Sequence, residues 1–398
     1  MQFLTESKIE FMKYRKVLVW VSATLLVVAF AEIFFMTGIN LGIDFAGGTQ
    51  LTVRMRDAVP VDDLRRTFES AGLRDASIQQ YGPVESQEVL IKAPVVEESE
   101  EGSSKLLIQA LDDDLNSDRS ESQIDLNQRG REVLATALTL ADPDERKLVD
   151  DDQGQGHYDT VATAVIEQRN NLGLFSSWEQ VQAVEGLSDG AFQTLQGQGF
   201  LGAFHVIQNE NVGPQIGSEL RTKGILAVVL SFLGMLMYIW YRFELRFGVG
   251  AIVAVVHDFM ITLGLYALFD YEFNLPTIAA FLTLVGYSVN DTVVIFDRVR
   301  ENRRRYRRKD LESVINVSIN QTLSRTILTS GTTLLVVGCL YFLGGEVLKG
   351  FAFVLLIGVI VGTYSSIYVA SPFTLLWEHY FGQKAKAGGG AAAKAQTV

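Results

Sequence analysis

The sequence predicts a polytopic α-helical membrane protein with six transmembrane helices and an α+β domain between the first and second. Three observations predict it. The chain of 398 residues is 48% hydrophobic yet 20% charged, a mixture that suits neither an ordinary soluble protein nor a pure membrane bundle. Six apolar runs, at 17–36, 221–241, 247–269, 277–297, 322–343 and 351–377, are each long enough to cross a bilayer as a helix. The polar stretch 37–220 is large enough to bury a core of its own.

Charge orients the chain. Lys8, Lys13, Arg15 and Lys16 precede the first run, and Arg242 and Arg246 separate the second from the third. The fourth run is followed by "RVRENRRRYRRK", and the tail carries Lys384, Lys386 and Lys394. The connections "DYEFNLP" and "GGEVLKG" hold almost no basic residues. By the positive-inside rule residues 1–16, the basic loop 298–321 and the tail 378–398 are cytoplasmic, and the large polar domain lies outside. That domain holds the acidity. Residues 37–220 contain 32 Asp and Glu against 13 Lys and Arg, a net −19, whereas the rest of the chain is +7. Such a surface is soluble and does not suit nucleic acid. The single cysteine, Cys339, falls in the fifth run, so a disulfide framework or a zinc-thiolate site is excluded. The first run has the charge order of a signal sequence but is long and lacks a small-x-small cleavage site, so it is read as a retained anchor.

Within the polar domain, "GGTQLTVRM" alternates like a strand. "PVDDLRRTFESAGL" has helical spacing at Val61, Leu64, Phe68 and Leu73 with Gly72 as a stop signal. "ASIQQYG" and "EVLIKAP" follow as strands. This β-α-β-β order predicts a ferredoxin-like part made of 42–94 together with a returning strand and turn in 204–217, where Pro214 is placed to begin the helix into the second span. "VVEESEEGSSK" reads as a loop, and 105–201 as a helical insertion. Part of it resembles a helix-hairpin-helix unit: a first helix ending before Gly173, a cap at Ser176 or Ser177, and Trp178, Val181 and Val184 on one face. In an acidic domain outside the cell this is a packing or docking insert rather than a DNA-binding one.

Ionisable groups inside the spans are the candidate functional residues. Each costs about 2.5–3.5 kcal/mol at the bilayer centre and normally faces the bundle interior with a partner. His257 and Asp258 lie in the third span, Asp291 in the fourth, next to the uncharged Asn290, and Arg325 at the start of the fifth. Glu32, near the end of the first, is placed to snorkel. At 1.5 Å per residue Asp291 is about 10 Å from the basic edge, Arg325 roughly 8 Å and Asp258 about 18 Å. Similar depth on neighbouring antiparallel helices predicts an Asp291–Arg325 pair. Thr283, Tyr287, Asn290, Asp291 and Val294 give the fourth span a polar stripe, and Arg325, Thr329, Thr332 and Thr333 give the fifth another. Gly250 and Ala254 lead to Asp258 along a small-residue face. Together the stripes predict one wet interior path. The plainer readings are a structural Asp–Arg clamp, a satisfied interior histidine, and an arginine run that only sets topology.

"GIDFAGGTQ" (42–50), "ENVGPQIG" (210–217), "VGYSVNDTVVIFDRVREN" (285–302) and "SRTILTSGTTLL" (324–335) resemble the SecF family of the bacterial Sec export machinery. The likeness covers all six spans and the strands of the polar domain; the insertion 105–201 departs from it. The resemblance implies an RND-like bundle in the bacterial inner membrane, a periplasmic polar domain and cytoplasmic termini. It implies a SecD partner, the SecYEG channel, YajC and YidC as neighbours, and a translocating preprotein as cargo, driven outward by the proton motive force. The family's proton-path aspartate falls on Asp291 and its essential arginine on Arg325. Tyr287, Asn290, His257 and Asp258 become supporting polar groups. Gly42, Asp44, Gly47, Gly48, Gly213 and Pro214 become the hinge motif, with Asp44 capping or closing that turn rather than binding a ligand. Two other readings stay open: an RND-type proton-driven exporter of lipid or small hydrophobic molecules, which would have to dimerise, and a passive scaffold. No nucleophile constellation, nucleotide loop or metal cluster is visible, so no enzymatic chemistry, cofactor or metal is expected.

Overall fold

The computed structural model describes residues 8–382 other than 37, 75, 95–101, 118, 120–122 and 147–150. The three tail lysines and most of the "VVEESEEGSSK" loop lie outside those residues.

Six helices are long and apolar enough to cross a membrane: Phe11–Phe35, Pro214–Arg242, Leu245–Leu268, Leu275–Arg305, Leu311–Leu343 and Leu348–Tyr380. They are the first to sixth spans below. The third, fourth and sixth form the interior, with 61%, 50% and 56% of their apolar windows buried, against 22%, 11% and 17% for the first, second and fifth. Their core includes Phe247, Ala254, Val285, Phe296 and Ile367. The first span meets the third closely at Gly264, where an added Cβ would overlap that of Ala29.

The helices outrun their hydrophobic windows. The fourth continues to Arg305 and the fifth begins at Leu311, so the stretch 298–321 read as a loop is helical except at 306–310. Arginine is a good helix former, and Arg303–Arg305 sit at the C-terminal end of the helix dipole. Asp310 then caps the fifth span by accepting the Ser313 N–H at 3.0 Å. In the sixth span a π-helical turn at Ser366–Ala370 precedes Pro372, which has no N–H to offer the ladder.

Residues 46–218 form a separate compact unit, the head domain. It contains strands β1 (Gly48–Met55), β2 (Ser77–Tyr81), β3 (Glu88–Ala93) and β4 (Phe204–Val212), and helices α1 (Val61–Ser70) and α2 (Gly102–Leu115). The sheet order is β2-β3-β1-β4, antiparallel throughout, with Leu51 opposite Ile91 and Gly48 opposite Val212. That is the βαββαβ arrangement of a ferredoxin-like sheet. Leu107 and Leu111 of α2 pack with Leu51, Val53, Ile91 and Phe68 in one core. The insertion therefore begins after Leu115 rather than at 105, because α2 supplies the second helix this sheet needs.

The insertion has its own core around Leu134, Tyr158, Val165, Phe175, Val181 and Leu195. It is built from α3 (Arg131–Ala141), α4 (Asp151–Leu172), α5 (Trp178–Gln182) and α6 (Asp189–Gln198). α4 stops at Gly173, whose φ of +86° favours glycine. Ser188 caps α6 by accepting the Ala191 N–H at 3.0 Å.

Candidate functional site in the helix bundle

Among the described residues the most fully enclosed carboxylate is Asp258, which is almost wholly buried. Its Oδ2 accepts hydrogen bonds from Ser288 Oγ of the fourth span at 2.5 Å and Ser365 Oγ of the sixth at 2.7 Å. Its Oδ1 faces His257 Nδ1 at 2.8 Å. Three helices thus converge on one buried acid, and these hydrogen bonds offset the cost of placing it there. The small-residue face leading to it is used for close packing: a Cβ on Gly250 would stand 3.0 Å from the Ala370 carbonyl of the sixth span. Ser288 and Ser365 were not singled out from the sequence. Depth holds a signal for Ser288, which lies ten residues before Arg298, about 15 Å in and level with Asp258.

Asp291 is also buried, 5% exposed. Its partner is Thr326, whose hydroxyl lies 3.4 Å from Oδ1, while Oδ2 has no hydrogen-bond partner among the described residues. The predicted Asp291–Arg325 pair makes no direct contact: Arg325 is exposed and stands beyond ion-pair distance, although its guanidinium is near enough to act electrostatically on Asp291. The depth argument matches the two helices, but helical phase decides the contact. Thr326 and Arg325 are about 100° apart around the helix, so only one of them can face Asp291.

The same phase argument places the rest of the two stripes. Thr283 and Asn290 are exposed, and Tyr287 is half-buried, with its hydroxyl 3.5 Å from Ser330. Thr329, Thr332 and Thr333 donate back to carbonyls of their own helix at 3.0, 2.9 and 2.9 Å. The stripes therefore do not converge on an interior path. Asn290 and Arg325 instead lie on the exposed faces of their helices, and Asn290 makes no hydrogen bond to Asp291.

The glycine motif has two sets of contacts, one in each unit. In the membrane unit, Gly42 N donates to the Phe273 carbonyl at 2.9 Å, and Phe273 N to that of Asn40 at 2.7 Å. A Cβ at Gly42 would press on Phe273 O at 3.2 Å. Asp44 Oδ2 accepts the Leu275 N–H at 2.9 Å, joining Asn274, whose side chain accepts from Thr277 N at 3.1 Å. Asp44 thus caps the fourth span, the helix that carries Asp291, rather than closing its own turn. In the head domain, Gly47 has φ +75°, and a Cβ there would stand 3.1 Å from Pro214 Cα. Gly48 pairs with Val212, so the strands that enter and leave the head domain run side by side at Gly213 and Pro214.

Comparison with known proteins agrees with these features. Residues 195–380 match the family model of the protein export membrane protein SecD/SecF C-terminal region, and residues 33–59 match the SecD/SecF GG motif. The chain is 40% identical to the protein translocase subunit SecF of Koribacter versatilis over 88% of this chain and 86% of that protein. It is 37% identical to SecF of Desulfurispirillum indicum over 93% and 91%. The crystal structure of SecDF from Thermus thermophilus, a translocon-associated membrane protein, superposes with a TM-score of 0.63 at 32% identity; the match covers 95% of this chain and 40% of that one. With six membrane helices, a ferredoxin-like head and the glycine motif in place, the chain belongs to the SecF family of protein translocase subunits.

Proposed function

We propose that this chain is the SecF subunit of a proton-driven protein export assembly. It pairs with a SecD chain beside SecYEG, with YajC and YidC as neighbours, in the bacterial inner membrane. Both termini face the cytoplasm and the head domain is periplasmic, where it acts on the emerging preprotein. The carrying observation is Asp291: a buried carboxyl group with one long hydroxyl contact and one unpartnered oxygen. A structural clamp such as Asp258 is saturated with donors; Asp291 is not.

The exposed polar face supports a partner. The second and fifth spans are the least buried, but they differ. The second exposes Leu230, Leu233 and Trp240, which suit lipid. The fifth exposes Arg325 within the span, and a cation facing hydrocarbon is costly. A second six-span bundle laid against the fourth and fifth spans would supply that arginine with polar company. SecDF of Thermus thermophilus, of which this chain matches 40%, carries both halves in its name.

The arrangement gives a simple switch. With Asp291 neutral, the Thr326 hydroxyl suffices. With Asp291 ionised, the adjacent guanidinium of Arg325 is drawn toward it by a turn of the fifth span or a change of rotamer. One charge moved through 100 mV is worth about 2.3 kcal/mol. That tilts a two-state element whose forms differ by a few kcal/mol. The test is Asp291→Asn in native membranes. Co-purification of a SecD chain is expected to persist while export stimulated by the proton motive force falls at least tenfold. Unchanged export with normal assembly refutes the drive and leaves a passive scaffold.

A further inference from the structure

A cavity of about 1260 Å³ opens between the first, third and sixth spans. Its rim holds Arg15 and Lys16 at the start of the first span, Asp310 and Glu312 around the start of the fifth, and Glu378 and His379 at the end of the sixth. All six lie at the end of the bundle that carries the arginine run. The walls are apolar, with Val19, Leu26 and Val253 among them, and His257 and Ser22 are polar groups set farther in. From Arg15 to Ser22 the first span rises about 10 Å.

His257 is the unusual member. Its side chain is 2% exposed, and its Nε2 has no hydrogen-bond partner among the described residues. A proton on Nδ1, donated to the Asp258 carboxylate, leaves a lone pair on Nε2. A buried nitrogen left in this way is costly unless something meets it. The Tyr364 ring of the sixth span stacks against the imidazole at 6.4 Å between centroids. Its hydroxyl is held by the first span, donating to Leu18 O at 2.7 Å and lying 3.0 Å from Ser22 Oγ.

We propose that this cavity is a water-filled inlet and that His257 Nε2 is a proton-binding site at its inner end, beside the Tyr364 ring. A hydrated proton entering from the basic end is taken up by the Nε2 lone pair. The resulting imidazolium is held by the Asp258 carboxylate, and release is the reverse step. The titratable groups facing the imidazole are Asp258 on its own helix and Tyr364 from the sixth span; the six charged or titratable rim residues stand at the mouth. Because Asp258 also binds Ser288 and Ser365, charge on His257 bears directly on the contact among the third, fourth and sixth spans. The site itself follows from this geometry; its part in driving export rests on the proton-driven reading above.

Two measurements on the full chain in lipid vesicles test it. In the first, ¹⁵N-histidine spectra are recorded from pH 5 to 9, with His257→Gln identifying the resonance. Nε2 is expected to titrate with external pH; a fixed neutral ring across the range overturns the proposal. In the second, Val253→Cys, one turn from His257 on the cavity wall, is compared with Leu233→Cys on the exposed apolar face of the second span, both in a Cys339→Ser background. A charged thiol reagent is expected to label position 253 at least tenfold faster than 233. Labelling of 253 by membrane-soluble reagents alone makes the cavity a lipid groove and overturns the inlet. Neither readout depends on export, so failure here is distinct from failure of the Asp291→Asn test.

Discussion

Thr326, not Arg325, faces Asp291: its hydroxyl stands 3.4 Å from one carboxylate oxygen, while the arginine one residue earlier turns to the exposed side of the fifth span. The two neighbours should therefore separate stability from drive. Thr326→Val removes the hydroxyl contact of a buried acid and is expected to cost about 1–3 kcal/mol. It should lower the thermal unfolding midpoint of the solubilised chain while leaving much of the proton-dependent export. Arg325→Gln alters an exposed group and should leave the midpoint unchanged while export falls at least tenfold. The opposite pattern would mean that the arginine is a structural clamp.

That pair also shows where sequence reasoning stops. Depth along a helix is legible, because rise per residue is fixed and arginines mark the membrane edge. The level of Asp291 and Arg325 follows from counting. Rotation about the axis is not legible, since it is set by packing against neighbours the sequence does not identify. Thr326 and the outward turn of Asn290 were missed for that reason. In the head domain, alternation and turn signals suffice for the ferredoxin-like strands. The role of α2 was missed because its Leu107 and Leu111 follow an acidic loop that reads as the border of an insertion. That Asp44 caps the fourth span is not legible, because its hydrogen-bond partner, Leu275, is far away in the chain.

Asp258 should behave as a clamp. Asp258→Ala leaves His257, Ser288 and Ser365 without their shared acceptor and is expected to destabilise the bundle by about 3–5 kcal/mol, the scale for breaking a buried charged pair. Asp258→Asn keeps an acceptor oxygen and should cost less than half as much. Ser288→Ala and Ser365→Ala should each cost about 1–3 kcal/mol. Because both serines bond the same oxygen, the double variant should depart from additivity. Unfolding of the solubilised chain gives all five values, and strictly additive losses would argue against a shared clamp.

The Asp44 cap ties the glycine motif to the helix bearing Asp291. Asp44→Ala frees the Leu275 N–H and is expected to cost about 0.5–2 kcal/mol, the range for losing a helix cap. Asp44→Asn retains an acceptor and should recover most of it. Hydrogen exchange at the N-terminal end of the fourth span should rise about tenfold in the alanine variant, with exchange near Asp291 unchanged. Unaltered exchange at Leu275 and Thr277 would show that Asn274 alone suffices as the cap.

The last prediction concerns pH and the head domain. Burial pushes the Asp125 carboxyl up to about 6, against the bonds it accepts from Asn127 N at 2.8 Å and Gly202 N at 3.1 Å, which pull it down. Burial, and then the nearby Arg169 guanidinium, push His205 down to about 4, with its ring nitrogen Nδ1 facing the Asn127 carbonyl. The two groups act in opposite directions. For Asp125 the folded state binds more protons than the unfolded one between pH 3.8 and about 6, so its contribution is fully present at the acid end and is lost as pH rises. For His205 the folded state binds fewer protons between about pH 4 and 6.5, so its contribution is present at the upper end and is lost as pH falls. Each is on the order of 2–3 kcal/mol, so they nearly cancel across the shared window. Amide exchange of Asn127 and Gly202 in the full chain, corrected for intrinsic rates, should vary little from pH 6.5 to 4.5. Asp125→Asn keeps the acceptor but removes the carboxyl's titration, so protection should fall steeply on acidification, by roughly tenfold or more. His205→Gln should do the reverse and gain protection as pH drops. If both variants track the parent, these groups do not set the pH response of the joint between the insertion and β4.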